Sequence, residues 1–259
     1  MGLFHGGDEM GNIHDVQQFV RSASGVKSLD ALHSLMAATI GEFGFQYYAL
    51  GHHVNVLRAN LVQIGNYPDA WMDTVRNRDY IPHDPVLLAC QTSAVGFRWS
   101  EVDQLIEHSQ RQKEILSGAR HAGMGDGYTV PIHIPGECAG SCSFAQRFGK
   151  SLNESTFPAA HYIGCFAFEA ARRLVRQPGD RKRELAAGES LTPRQLDCVL
   201  LVARGKSDWE AARLLGLSQD TVHQHVETAK RKYGVATRTQ LVIRALFDNQ
   251  LGFRDVIMR

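Results

Sequence analysis

Two helix-capping boxes fifteen residues apart fix what the last third of this chain can become. Thr192-Pro193-Arg194-Gln195 sets a Thr at the N-cap, a Pro at the first helical position and a Gln at the third. Leu196, Val199, Leu200 and Ala203 then repeat at helical spacing, and Gly205 ends the run. Ser207-Asp208-Trp209-Glu210 opens a second helix through Ala211, Ala212, Leu214 and Leu215, closed at Gly216. After Leu217-Ser218 a third helix begins at Gln219-Asp220, polar and acidic groups that suit a helix N-terminus, with Val222, Val226 and Ala229 facing inward. Two capped helices joined by Gly216-Leu217-Ser218 form a helix-turn-helix.

The outer face of the third helix carries Thr221, His223, Gln224, Glu227 and Arg231, beside Asp220, with Lys230 and Lys232 at its basic end and Lys206 in the turn before the second helix. Cationic side chains suit phosphates, while Gln and His reach base edges. Glu227 is repelled by phosphate but can accept from a cytosine amino group. The pattern predicts a helix that reads double-stranded DNA in the major groove. Charge agrees: residues 181–259 hold 14 Lys and Arg against 9 Asp and Glu, whereas the first 180 hold 14 against 18.

At 259 residues the chain has room for two domains. No apolar run is long enough to span a membrane. The opening Met1-Gly2-Leu3-Phe4-His5-Gly6 lacks the regions of a secretory signal, and Gly6 stands where a myristoylation motif needs Ser or Thr, so the expected location is the cytoplasm. Cys90, Cys138, Cys142, Cys165 and Cys198 read as reduced thiols rather than a disulfide framework. No metal or cofactor is expected: Cys138 and Cys142 have no second ligand pair. Catalysis finds no footing. His52-His53 point apart on a strand, His223 and His225 do not share a helix face, and no phosphate loop or nucleophile elbow occurs.

Upstream, alternating or apolar runs predict strands at 45–53, 60–64, 128–134 and 138–148. Helical stretches are expected at 16–43, 69–77, 85–94 and 109–121, and a long amphipathic helix over 154–176. This order predicts an α+β class: an N-terminal α-β-α sandwich on a mostly antiparallel sheet, followed by an all-α four-helix domain. The Pro-Gly and charge-rich segment 177–190 reads as a linker. The expected division is a ligand-binding and dimerisation domain at 1–176, the linker, a DNA-binding domain at 191–251, and a tail at 252–259.

Leu191-Thr192-Pro193-Arg194, Ala203-Arg204-Gly205-Lys206-Ser207, the 211–218 segment, Thr221-Val222, His225-Val226 and Lys232-Tyr233 resemble the four-helix DNA-binding domain of LuxR-type regulators. The departures are Gln195, where the family has an acid, and Val199, where it usually has Leu. The first 176 residues resemble the acyl-homoserine-lactone-binding domain of quorum-sensing receptors. The resemblance rests on Asn66-Tyr67-Pro68-Asp69-Ala70-Trp71, Asp84-Pro85-Val86, Phe97-Arg98-Trp99-Ser100, Gly127 and Gly140-Ser141-Cys142-Ser143, with thirteen positions from Trp71 to Asp84 and twenty-eight to Trp99.

The resemblance implies a homodimeric transcription regulator that binds a small-molecule autoinducer and a two-fold-symmetric DNA site, with RNA polymerase as a further partner. It implies roles that chemistry makes sensible. The Trp71 indole N–H meets a lactone carbonyl, Asp84 accepts an amide N–H, and the Tyr67 and Ser143 hydroxyls meet the amide carbonyl. Trp99 walls the ring, while Pro85 and Gly127 shape the site. Val75, four residues after Trp71, stands where the family usually has Tyr. That departure keeps open a receptor of the same build for a non-lactone molecule. A partner that sequesters related receptors in heterodimers is the other alternative.

Overall fold

The computed structural model describes residues 13–53, 62–134, 137–176 and 190–257. The chain forms two compact units that divide at residues 177 and 178. The opening residues 1–6 and nearly all of the expected linker lie outside the described residues.

The first unit begins with helices α1 (Ile13–Gly25) and α2 (Leu29–Glu42), where periodicity predicts one stretch. Ser28 divides them, because its extended backbone lets its side chain accept from the Ala31 N–H as an N-cap. Next come strands β1 (Tyr47–His52) and β2 (Gln63–Gly65), then helix α3 (Asp69–Asn77), whose limits match those expected. Helix α4 (Pro85–Ala89) is shorter than expected, and β3 (Phe97–Arg98) is a two-residue strand that alternation cannot reveal. Helices α5 (Val102–Leu105) and α6 (Gln110–His121) precede the long strands β4 (Met124–Ile132) and β5 (Gly140–Arg147), and α7 (Phe157–Val175) closes the unit.

The five strands form one sheet in the order β2-β1-β5-β4-β3, and every neighbouring pair is antiparallel. Register decides what each face carries, since side chains alternate along a strand. Tyr48, Leu50, Tyr128, Val130, Cys142 and Phe144 fall on one face and pack with α1, α2 and α7 in the main core. Phe157 at the start of α7 stacks on Tyr128 with ring centroids 4.4 Å apart. The opposite face carries Ala49, Gly51, Gly127, Thr129, Ser141, Ser143 and Ala145, nearly all small. Tyr47 shares that face and packs in a cluster with Trp71 and Val75 of α3, Ile115 and Ala119 of α6, Tyr80 and Met124. The result is an α-β-α sandwich in which one sheet face presents large side chains and the other mostly small ones.

The second unit is built from α8 (Pro193–Ala203), α9 (Asp208–Leu215), α10 (Gln219–Tyr233) and α11 (Arg238–Phe247), followed by a short helix α12 (Phe253–Ile257). Both expected capping boxes form: Thr192 with Gln195 and Ser207 with Glu210. Gln195 fills its role in place of an acid, its side-chain oxygen accepting from the Thr192 N–H at 3.0 Å. A third box, Thr237 with Gln240, opens α11. Gly216 and Gly234 end α9 and α10 with φ of 66° and 61°, the left-handed conformation that favours glycine. Cys198, Val199, Val222, Val226, Ala229, Leu241 and Ala245 are fully buried between the helices. Sequence pattern alone gives no account of the tail; Arg204 Nε donates to the Asp255 carbonyl at 2.8 Å and holds α12 in place.

Thr192→Ala removes the side-chain cap of α8, the hydroxyl that accepts from the Gln195 N–H. It is expected to destabilise the second unit by about 1 kcal/mol. Calorimetric unfolding of the full chain, with the transition assigned by helix-specific proteolysis, measures it.

Candidate ligand site and nucleic-acid interface

Helix α3 points Trp71 and, one turn later, Val75 towards the small-residue face of the sheet, and both are buried. The indole fits because α6 offers Gly118 opposite it. A Cβ there would lie 2.8 Å from Trp71 Cζ3. Among the described residues no group accepts from the Trp71 indole N–H, and that nitrogen is not sealed in the interior. It is a donor open to the site.

Asp84 is fixed by the helix that follows it. Its backbone is extended, Pro85 occupies the first turn of α4, and Oδ1 accepts from the Val86 N–H at 2.8 Å and the Leu87 N–H at 3.4 Å. Oδ2 makes no hydrogen bond among the described residues. Burial raises the Asp84 carboxyl from the ordinary carboxylate range to about 6, against the pull of the two backbone N–H groups. The residue nonetheless keeps part of its surface accessible. Tyr67 lies close by. Burial and then the neighbouring Asp84 charge push its hydroxyl far above the usual phenol value, and the nearby Ser143 hydroxyl offsets part of this.

Ser143 lies on β5 directly across from Thr129 of β4, and their hydroxyls are 2.8 Å apart. Trp99 donates its indole N–H to Thr129 Oγ1 at 2.9 Å. Its ring lies over Gly127, where a Cβ would meet Trp99 Cε2 at 2.4 Å and the Phe144 carbonyl oxygen at 2.8 Å. Arg98 and Ser100, on either side of Trp99, are tied to Asp126. Arg98 Nη2 pairs with Asp126 Oδ2 at 3.3 Å, and the Ser100 hydroxyl donates to the same oxygen at 3.0 Å.

The fold thus brings Tyr67, Trp71, Val75, Asp84, Trp99 and Ser143 to one side of the sheet. Pro85 acts as the first residue of α4, and Gly127 as the floor under Trp99. Sequence reasoning misses three contributors: Thr129, Gly118 and Asp126. Thr129 has a signal, since it follows Gly127 by two positions and must share its face. Gly118 and Asp126 have none, because their partners are distant in sequence.

In the second unit, His223 and Gln224 are exposed on α10, as is Arg231 further along it. Thr221 is held at the helix start by Ser218, hydroxyl to hydroxyl at 2.8 Å. Lys206 stands 3.6 Å from Glu210. Glu227 is not a lone acid on this face. Lys230 Nζ donates to it at 2.8 Å, and that hydrogen bond holds the Glu227 carboxyl below its usual range. The two charges compensate each other, so Lys230 is less open to phosphate than the sequence alone suggests. Lys232 turns away to the Ser190 carbonyl at 3.0 Å. Asp208, also missed, binds Arg238 of α11 and His223 Nδ1 of α10, the latter at 3.2 Å, and so joins three helices.

Two family models match the chain. "Autoinducer binding domain" covers residues 28–174, and "Bacterial regulatory proteins, luxR family" covers residues 189–245. The chain belongs to the LuxR family. Among relatives of this LuxR-family regulator, the transcriptional activator protein BjaR1 of Bradyrhizobium diazoefficiens is 31% identical over 224 residues, spanning 84% of this chain and 87% of that protein. The transcriptional activator protein AhyR of Aeromonas hydrophila is 27% identical over 220 residues, spanning 82% and 84%. In fold, the regulator is similar to Escherichia coli SdiA, with a TM-score of 0.56 at 20% identity over 92% of this chain and 98% of that one. A second SdiA structure, in complex with octanoyl-rac-glycerol, gives 0.55 at 20% identity over 95% and 97%. This LuxR-family protein is therefore a transcriptional regulator, not an enzyme, with an autoinducer-binding domain and a helix-turn-helix DNA-binding domain.

Gly127→Ala drives a methyl group into the Trp99 ring and a strand carbonyl that cannot yield. The expected cost is about 2 kcal/mol of stability, with a changed near-ultraviolet aromatic signal. Denaturant unfolding and circular dichroism read both effects, and wild-type values in both would contradict the packing described.

Proposed function

We propose that this regulator senses an N-acyl-homoserine lactone. The support is an open indole N–H on Trp71 and an open carboxylate oxygen on Asp84, set beside a sheet face of small and hydroxylic residues. Trp71 donates to the lactone carbonyl. Asp84 Oδ2 accepts the amide N–H, Tyr67 and Ser143 meet the amide carbonyl, Trp99 walls the ring, and Val75 borders the acyl chain. Each buried polar group of the ligand must find such a partner or lose about 1–3 kcal/mol.

The regulator acts as a homodimer in the cytoplasm, with residues 1–176 as its sensing and pairing domain and residues 191–251 as its DNA-binding domain. Tyr162 and Phe166 on α7 and Ile243 on α11 are large apolar side chains left exposed at 52%, 43% and 60%, which suits helices that pair with a second copy. Lys206, Thr221, His223, Gln224 and Arg231 contact DNA, with the Glu227–Lys230 pair beside them, and RNA polymerase engages the bound dimer.

Thermal unfolding with N-acyl-homoserine lactones of graded chain length tests the ligand. A rise in melting temperature is expected. An acyl glycerol has hydroxyl donors but no amide N–H, and it is expected to bind less tightly. No shift with any lactone would defeat the reading. Asp84→Asn exchanges a charge-assisted bond for a neutral one and should weaken lactone binding by about 10- to 100-fold.

The pH dependence has a definite sign. A ligand N–H prefers the ionised carboxylate, so affinity rises as pH increases through about 6 and then levels off. Without ligand, the raised carboxyl pKa makes the fold lose stability as pH rises from about 4 to 6. Asp84→Asn abolishes both trends, which calorimetry from about pH 4 to about pH 7 can follow.

On DNA, Gln224→Ala should relax base discrimination by about 1–3 kcal/mol. Arg231→Ala should weaken all sequences alike and lower the slope of log affinity against log salt by about 1. Binding titrations on specific and scrambled duplexes at several salt concentrations distinguish these effects.

A further inference from the structure

Asp208, the first residue of α9, stands between two donors from the neighbouring helices. Arg238, the first residue of α11, donates to Oδ1, and His223 Nδ1 on α10 lies 3.2 Å from Oδ2. As the ion-pair partner of an arginine, Asp208 is a carboxylate, and a carboxylate only accepts. The proton in its contact with His223 therefore sits on Nδ1. In a neutral imidazole the bond made by one nitrogen sets the tautomer, so Nε2 carries the lone pair. No hydrogen bond holds Nε2 among the described residues, and the His223 side chain is 60% exposed, against 13% for Asp208. The charges around the ring are already matched. Arg238 meets Asp208, and Lys230 meets Glu227, one turn beyond His223 on the same face. Asp220 lies one turn before it. A neutral ring thus satisfies Asp208 without bringing a further charge.

We propose that Asp208 is a positioning residue for sequence reading: it fixes the His223 proton on Nδ1, so that Nε2 faces the major groove as an acceptor. Adenine and cytosine present an amino group there, whereas guanine and thymine present only acceptors. His223 therefore selects adenine or cytosine on the strand it faces. This rests on the reading of α10 as the DNA-reading helix and specifies what one of its side chains recognises. An untethered histidine exchanges tautomers and accepts either class of base. Asp208 removes that freedom and, being nearly enclosed, acts on DNA only through the ring.

The test uses full-length protein, selection from a random duplex library at about pH 8, where an ordinary imidazole is uncharged, and titrations on single-base variants of the selected site. The wild type is expected to prefer adenine or cytosine over guanine or thymine by about five- to tenfold at one position of each half-site. His223→Ala, at an exposed position, should lose that preference and keep the others. Asp208→Asn carries the sharper expectation. Arg238 only donates, so it takes the amide oxygen and turns the NH2 towards His223. Nδ1 then accepts, the ring proton moves to Nε2, and the preference inverts to guanine or thymine. Ring nitrogen chemical shifts of histidine-labelled protein report the tautomer directly, with the His223 signal identified by its loss in His223→Ala. The proton is expected on Nδ1 in the wild type and on Nε2 in Asp208→Asn. Denaturant unfolding shows whether Asp208→Asn folds; if it does not, the wild-type tautomer and His223→Ala decide.

A proton on Nε2 in the wild type overturns the inference, as does a guanine or thymine preference at the position that His223→Ala relaxes. A base preference that His223→Ala leaves intact at every position overturns it, and so does a folded Asp208→Asn that keeps the wild-type preference. If the wild type discriminates no sequence at all, the reading of α10 fails, and the inference fails with it.

Discussion

An asymmetry between the two faces of its sheet governs the first unit. Tyr48, Leu50, Tyr128, Val130, Cys142 and Phe144 face α1, α2 and α7 and are buried in the main core. Burial of side chains of this size contributes about 1.5–3 kcal/mol each and anchors the sheet. With one face so secured, the other can carry Ala49, Gly51, Gly127, Thr129, Ser141, Ser143 and Ala145, and the bulky groups over it come from α3, α6, Tyr47 and Trp99. Gly118 and Gly127 each give up a Cβ so that an indole can approach the backbone closely.

Two aspartates show how one carboxylate can serve structure and leave something for function. Asp84 caps α4 with Oδ1 alone, which fixes the orientation of the carboxylate and leaves Oδ2 for another partner. The environment that fixes it also resists its charge, so a donor arriving from a ligand relieves a cost already present in the empty protein. Asp208 works in the opposite sense. It begins α9, where the helix dipole favours an anion, and it is satisfied within the protein by Arg238 and His223. It sets the mutual packing of α9, α10 and α11, and it holds one ring nitrogen of His223 while leaving the rest of that side chain exposed.

The helix-turn-helix is legible in the sequence because its determinants are local. Thr192 and Gln195, or Ser207 and Glu210, meet within one turn, and the apolar positions repeat within one helix. The α3 limits are legible for the same reason. The sheet is harder. β3 is two residues long, and its pairing with Thr129 and Tyr128 is a contact thirty residues away that no periodicity encodes. The break at Ser28 escapes notice because a cap without its acidic or amide partner at the third position looks like helix interior. In the candidate site, Trp71, Asp84 and Trp99 stand out through a family pattern. Their physical roles differ in a way that pattern cannot express: one indole N–H is open and the other is committed to Thr129. That distinction depends on which hydroxyl lies across the ladder, and register is invisible until the strands are paired.

A signal that touches only the first unit can still govern DNA binding, and the fold supplies the means without any contact between the units being required. Ligand that binds the folded state alone stabilises it by mass action, about 2.7 kcal/mol at a hundred times its dissociation constant. Arg172 is buried against Glu137 of the β4–β5 connection, and Arg176 Nη2 pairs with the same carboxylate at 3.2 Å. The end of α7 is thereby fastened to the sheet. If two such units pair, their DNA-binding units are tethered with a high effective concentration for adjacent half-sites. In each of those units α8, α9, α10 and α11 carry their own side-chain N-caps. On the proposed reading, the quantity the ligand controls is how many first units are folded and paired, and the affinity for a two-fold site follows from that number.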